Sequence, residues 1–397
     1  MKASDGSGGP PTFGAGDISD ADVVVRADLN VPLAGRTVAD DARLRAALPT
    51  LRALVSRGNR ILVVSHLGRP QRPHAGMSLR PAARALSRLL GVEVPLVPRT
   101  GESSLAARRA RIALLENVRF DPRETSRSSA ERQALAEELR AGADVIVSDA
   151  FSVFHRRHAT IVELVASGPS VAGKLVEQEV ARLTPLIELS EPPLVIVGGT
   201  RAEEKLPLLD GLTASAAVVL LGAQMAARIG ELAAAGTAEG AVARRVLARG
   251  STVVPSDVVV GDESGRARVV PFPDVRPGMR VVDLGPSARR RYAELVHTAR
   301  TVIWNGPPGF QHERAGRAGA EALAAACAET PAVTIVGGGT TSMPLRWRGL
   351  CDRVTHVSTG GTVLLHVLLG WPLPGVDALV GGSRAQASWA RDVLSLS

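Results

Sequence analysis

Lysine is scarce in this 397-residue chain: of its 47 lysine and arginine side chains, only Lys2, Lys174 and Lys205 are lysines. Lys205 closes the run Val197-Gly198-Gly199-Thr200-Arg201-Ala202-Glu203-Glu204-Lys205. A chain so rich in arginine keeps lysine where a compact, rotatable ammonium does what a flat guanidinium cannot. The run reads as a buried strand (193–197), a glycine turn and a helix opening at Arg201. Arg201 and Lys205 then stand one turn apart on one face, where like charges repel unless an anion bridges them. A helix N-terminus behind a glycine turn is a place where phosphate binds. Two surface cations balanced by Glu203 and Glu204 would give the same local sequence.

Other polar residues that can do chemistry follow apolar runs in the same way. Asp28 and Asn30 follow the first run; Ser65, His66 and Arg69 the second; Asp149, His155, Arg156, Arg157 and His158 a later one. In the second half the equivalent positions hold glycines: Gly198-Gly199, Gly306 with Gly309, Gly337-Gly338-Gly339, and Gly360-Gly361. Guanidinium and imidazole groups suit a small phosphorylated or carboxylated anion. Bare backbone and helix N-termini suit the phosphates and flat base of a nucleotide. Taken singly each cluster has a plainer reading: His66 as a satisfied structural residue, Arg119 as the surface partner of Glu116. Together, an anion site and a glycine-lined site form an arrangement for moving a group between two bound substrates.

The elements that must position these residues alternate strand and helix. Val23-Val24-Val25, a helical pattern over 41–57, Ile61-Leu62-Val63-Val64, a helix over 80–90 and a strand over 143–147 give the rhythm of a parallel sheet covered on both faces. A second series runs through 194–197, 217–221, 301–304 and 332–336. The expected fold is α/β: two Rossmann-like, doubly wound parallel-sheet domains joined by a helix. The expected boundaries are a flexible lead-in at 1–16, a first domain at 17–170, a connecting helix at 171–188, a second domain at 189–380 and a tail at 381–397. Residues 262–283, rich in Gly, Pro and Arg, predict a small excursion of short strands. Ligands of such sheets collect at the carboxyl ends of the strands.

Composition narrows the function classes. A 45% hydrophobic content supplies two large cores, while 3% aromatics argues against stacking platforms for single-stranded nucleic acid. The net charge of +8 and pI near 10.6 come from basic residues scattered among acids, so a solvated basic surface is expected in place of a nucleic-acid interface. Cys327 and Cys351 have no metal-ligand spacing, and no apolar run reaches the roughly 18 residues of a membrane span. The expectation is a cytoplasmic monomer with a small anionic substrate and neither nucleic acid nor membrane as partner.

Several runs carry a family likeness: Arg26-Ala27-Asp28-Leu29-Asn30-Val31-Pro32, Ser65-His66-Leu67-Gly68-Arg69-Pro70, Leu115-Glu116-Asn117-Val118-Arg119-Phe120, Asp149-Ala150-Phe151 with His155-Arg156, Trp304-Asn305-Gly306-Pro307 and Ser358-Thr359-Gly360-Gly361. In order and spacing they resemble phosphoglycerate kinases. The resemblance implies an acid-binding first domain, a nucleotide-binding second domain, a central cleft closed by a hinge, and a tail (389–397) returning to the first domain. It implies phosphoryl transfer between ATP and the carboxylate of 3-phosphoglycerate or a close analogue, giving an acyl phosphate, with ATP/ADP and magnesium as cofactors. Asp28, Asn30, Arg43, His66, Arg69, Arg119 and Arg156 match the family's substrate set. By the same resemblance Arg43 and Arg201 are the catalytic pair. Gly199, Lys205, Gly222, Asn305, Pro307, Gly338, Gly339, Thr340, Thr341, Gly360 and Gly361 hold the nucleotide.

Departures cluster on the nucleotide side. Arg201 stands where the family has a lysine that follows the transferred group, and Thr340 where it has the aspartate that holds magnesium, so no metal ligand is assigned. Ala223 and Gln224 replace glycines under the base, Glu313 matches a ribose-binding glutamate only approximately, and Thr362 replaces a glycine. The asymmetry leaves two alternatives beside the kinase: transfer of the acyl unit to another acceptor, or binding of phosphoglycerate without turnover. The departures also point to specialised metabolism.

Overall fold

The computed structural model describes residues 17–98, 110–186, 189–216, 218–262 and 266–381. The expected lead-in at 1–16 and the tail segment 389–397 lie outside the described residues. The chain forms two compact units: residues up to 187 together with those from Pro372 onward, and residues 188–371.

The first unit carries a parallel sheet in the order Leu96–Val97, Ile112–Leu115, Arg60–Val64, Asp22–Ala27, Val145–Asp149, Ser170–Ala172. Strands buried on both faces read as unbroken apolar runs, which is why Ile112–Leu115 is buried throughout. The helices Ala42–Ser56 and Arg80–Leu90 bury Leu44, Leu48, Leu51, Leu54 and Leu86 against Val23, Val25, Ile61 and Val63. The helix expected over 171–188 is Lys174–Leu183, because Ser170–Ala172 is spent on the edge of the sheet. The chain re-enters this unit at Pro372, ahead of the expected start of the tail at 381. There the helix Pro374–Gly381 packs on Glu163–Ala166, and Gly375 N donates to Phe154 O at 2.9 Å.

The second unit repeats the plan, with a parallel sheet in the order Thr252–Val253, Val218–Leu221, Leu194–Val197, Thr301–Asn305, Val333–Gly337, His356–Ser358. Its core gathers Ile196, Leu220, Val302, Trp304, Tyr292 and Leu323. The excursion of short strands is an antiparallel sheet of Asp257–Gly261 between Ala267–Pro271 and Arg280–Leu284.

In both sheets successive strands are added first to one side of a starting strand and then to the other. That places a switch point beside Asp22–Ala27 in one unit and between Leu194–Val197 and Thr301–Asn305 in the other. Loops leaving adjacent strands diverge there and open a crevice for a ligand. No helix among the described residues is long and apolar enough to cross a membrane.

Candidate functional site

In the first unit, Asp28 leaves the strand Asp22–Ala27 at its carboxyl end and is buried. It accepts from Arg43 and from Ser152 Oγ, and its Oδ1 accepts from Asn30 N at 3.0 Å. Burial pushes its carboxyl up, but Arg43, His66 and these hydrogen bonds outweigh it and hold the group well below the usual carboxylate range. Arg43 lies in the first turn of Ala42–Ser56, where the helix dipole disfavours a cation, and Asp28 compensates that placement. Asn30 Oδ1 accepts from Gly68 N at 2.9 Å, which ties the loop after the first strand to the loop carrying His66 and Arg69.

His66 is buried, with its Nδ1 3.2 Å from Arg26 Nη2. Burial, then the charge of Arg119, pushes its pKa well below the ordinary imidazole value, so the ring is neutral at pH 7. Arg119 donates to Gly68 O. Burial lowers its pKa to about 10, with Arg26, Arg69 and Arg156 pushing the same way and Glu124 opposing. Arg156 Nε meets His155 Nε2 at 2.8 Å, and Arg69 is exposed. All seven substrate residues expected from the sequence therefore fall in one electrostatically coupled cluster with an excess of cations. The alternative surface pair of Arg119 and Glu116 does not form: Glu116 accepts from Ser78 Oγ (2.6 Å) and Leu79 N (2.8 Å). Sequence reasoning missed Ser152 and the buried group Arg26, Glu124 and Thr160. Arg26 left a signal, since a charge inside an apolar strand requires a buried partner.

In the second unit, Lys205 turns inward from the helix Ala202–Ser215. Its Nζ donates to Gly198 O (2.9 Å) and Asn305 Oδ1 (2.7 Å). Burial lowers its pKa to about 8, with Glu204 opposing. Arg201 precedes the helix with a non-helical backbone; its side chain is 59% exposed and 4.0 Å from Glu204. The expected side-by-side pair on one helical face is thus not formed: Lys205 points into the switch point and Arg201 out of it. Nor does Glu203 balance either cation, since it pairs with Arg228.

Around Lys205 the backbone is packed too closely for side chains. Gly306 has φ +95, and a Cβ there would lie 2.3 Å from Gly198 O. Trp304 Nε1 donates to Gly306 O at 2.9 Å, and Gly306 N donates to Thr341 Oγ1 at 2.9 Å. Thr341 is therefore buried as a brace for this turn. Gly199 N donates to Pro307 O at 2.8 Å. A Cβ on Gly361 would meet Asn305 Nδ2 at 3.3 Å and Gly338 Cα at 3.8 Å, so these three line one cradle. Gly339 O accepts from Arg346 (2.9 Å), Gly360 N donates to Ser358 Oγ (3.0 Å), and Thr340 is exposed. Gly222 precedes the helix Ala223–Ala234 and its N donates to Val197 O at 2.9 Å. Ala223 belongs to the apolar core, and Gln224 is buried with its amide 3.5 Å from Val281 O. Glu313 is engaged by Arg280, which lies 5.0 Å over the Phe310 ring.

The phosphoglycerate kinase family model matches residues 15–371. The chain belongs to the phosphoglycerate kinase family. It is 39% identical to the phosphoglycerate kinase of Herpetosiphon aurantiacus over 381 residues, covering 90% of this chain and 95% of that one. It is 40% identical to that of Salinispora tropica over 391 residues, covering 92% and 97%. Among solved structures, the phosphoglycerate kinase of Coxiella burnetii aligns with a TM-score of 0.66 at 31% identity, covering 93% of this chain and 99% of that one. The structure from Pyrococcus horikoshii aligns with a TM-score of 0.78 at 24% identity, covering 92% and 98%, and shares the fold. Membership in the phosphoglycerate kinase family fits the two parallel-sheet units, each with a polar or glycine-lined switch point.

Proposed function

We propose that the chain transfers a phosphoryl group from ATP to the carboxylate of 3-phosphoglycerate, giving an acyl phosphate, and catalyses the reverse step. The observation that carries this reading is the cationic cluster of the first unit, in which all seven residue types of the phosphoglycerate kinase substrate set are kept and coupled. Arg69, Arg119 and Arg156, with neutral His66 as a donor, hold the phosphate of the acid. Asp28 and Asn30 take its hydroxyl and backbone. Arg43 meets the reacting carboxylate and the charge that develops beside it. Phosphoryl transfer of this kind is mostly positioning and charge neutralisation, and these residues supply both.

The second unit fits a nucleoside triphosphate. Lys205 and Asn305 offer donors beside a glycine cradle that a Cβ would fill, and Arg201, exposed ahead of the helix Ala202–Ser215, would have to turn from Glu204 to meet a phosphate oxygen. When bound, ATP supplies the phosphoryl group and a magnesium ion neutralises its oxygens. Among the described residues no three His, Cys, Asp or Glu side chains converge as a metal site, and Thr340 offers a neutral hydroxyl. The donor set therefore fits a metal held by nucleotide phosphates and water, with Thr340 outside a direct carboxylate role. The relatives are named for the kinase reaction; acyl transfer and binding without turnover gain no support from them. A coupled assay of acyl-phosphate formation from ATP and 3-phosphoglycerate, with magnesium varied, tests the reading. Turnover no faster than a blank without protein rejects it.

A further inference from the structure

His66 rests on a buried polar chain that the kinase reading does not use. Arg26 is fully buried in the central strand of the first unit. Its Nε donates to Thr160 Oγ1 at 2.7 Å, its Nη1 to Ala27 O, and its Nη2 lies 3.2 Å from His66 Nδ1. Thr160 Oγ1 in turn donates to Glu124 Oε1 at 2.8 Å, and Thr160 N donates to Glu124 Oε2 at 3.0 Å. Glu124 is fully buried. A guanidinium has five donors and no acceptor, so His66 Nδ1 must offer its lone pair to Arg26. Thr160 has one hydroxyl proton, which goes to Glu124 and leaves its oxygen to accept from Arg26. Every link in the chain thus has one consistent direction.

We propose that Arg26, held in place by Thr160 and Glu124, is a positioning residue that fixes His66 as a neutral imidazole with its proton on Nε2. His66 then presents a hydrogen-bond donor of constant protonation to the phosphate of the bound acid. The charged groups facing it are Arg26, Asp28, Arg43 and Arg119, three cations against one carboxylate, and burial adds to their bias against the imidazolium. Positive charge for the phosphate comes from Arg69, Arg119 and Arg156, while His66 contributes direction. The inference rests on the substrate reading above only in naming the ligand; the tautomer itself is a property of the chain.

Two measurements on the full-length protein test it. In long-range 1H–15N spectra of 15N-histidine-labelled protein, with His66 assigned by His66→Gln, the ring should show Nε2 protonated and Nδ1 bare across about pH 5 to 8, where a free imidazole titrates. Thr160→Val removes the acceptor for Arg26 and should produce mixed tautomers or a protonated ring in that range, while Thr160→Ser should keep the native pattern. In kinetics, Thr160→Val should raise KM for 3-phosphoglycerate about tenfold, the factor for one lost hydrogen bond, with kcat and KM for ATP nearly unchanged and Thr160→Ser restoring KM. A His66 ring protonated on Nδ1 or on both nitrogens in the native protein overturns the proposal, as does a Thr160→Val variant that moves neither tautomer nor KM. If Thr160→Val fails to fold, the native spectrum and Thr160→Ser still decide. Absence of kinase turnover with the Nε2 tautomer intact would reject the substrate reading alone.

Discussion

At the scale of single residues, Lys205 and Thr340 carry opposite expectations. Lys205 Nζ is held by Gly198 O and Asn305 Oδ1, so its ammonium is aimed before any ligand arrives. Lys205→Met is expected to lower kcat/KM for ATP by about a hundredfold or more, the usual cost of removing one aimed donor. It should also cost about 1–3 kcal/mol of stability by leaving Asn305 without its partner. Turnover within a few fold of the native protein would show that Lys205 is a structural cation only. Thr340 is exposed, and its replacement disturbs no buried contact. Thr340→Asp is expected to lower the magnesium concentration for half-maximal rate severalfold, since a hard cation prefers a carboxylate to a hydroxyl. An unchanged magnesium dependence would remove Thr340 from the neighbourhood of the metal.

At the scale of elements, Asp149 joins the strand Val145–Asp149 to the helix Lys174–Leu183. Its Oδ1 accepts from Leu175 N (3.1 Å) and Val176 N (3.3 Å) in the first helical turn. Burial pushes its carboxyl up to about 7, against the pull of Thr50 and the two backbone donors. Between about pH 4 and 7 the folded chain therefore keeps a proton that the unfolded chain has released. Stability from this group falls as pH rises through that window, and the loss is complete above about pH 7. Asp149→Asn keeps the acceptor and cannot ionise. It should match the native protein at about pH 4 or below and exceed it at pH 8 by on the order of 4 kcal/mol in urea unfolding of the first unit. Equal pH slopes for the two proteins would exclude Asp149 as the source. Asp283, raised to about 6 by burial, has the same sign in the second unit. The alternation of elements and the polar residues at strand ends were legible in the sequence, because period and turn chemistry are local. The edge strands Leu96–Val97 and Ser170–Ala172 were not, because runs of two or three residues hold only by pairing with distant neighbours. The same limit hid Glu124 and Thr160, which become partners of Arg26 only through contacts 36 and 134 residues apart in sequence.

At the scale of the whole molecule, the two units are built differently. Residues 188–371 form the second from one continuous stretch, while the first is completed by a segment that returns from Pro372 onward. In that segment Leu373, Val376 and Leu379 are buried. At about 1.5–3 kcal/mol per buried side chain, they contribute a large part of the roughly 5–15 kcal/mol that holds an ordinary domain folded. The returning helix also meets Phe154 directly, one residue from His155 and two from Arg156 of the anion cluster. A chain ending at residue 371 should therefore lose stability in its first unit and retain it in its second. Calorimetry should show the first transition lowered or abolished and the second in place. Titration should show 3-phosphoglycerate affinity lost and nucleotide affinity kept. The full-length variant Leu379→Asp, which buries a charge in the same apolar contact, should reproduce the pattern without removing any chain. Loss of both transitions in that variant would mean that the units fold as one cooperative body, and unchanged acid binding would mean that the returning helix does not support the anion cluster.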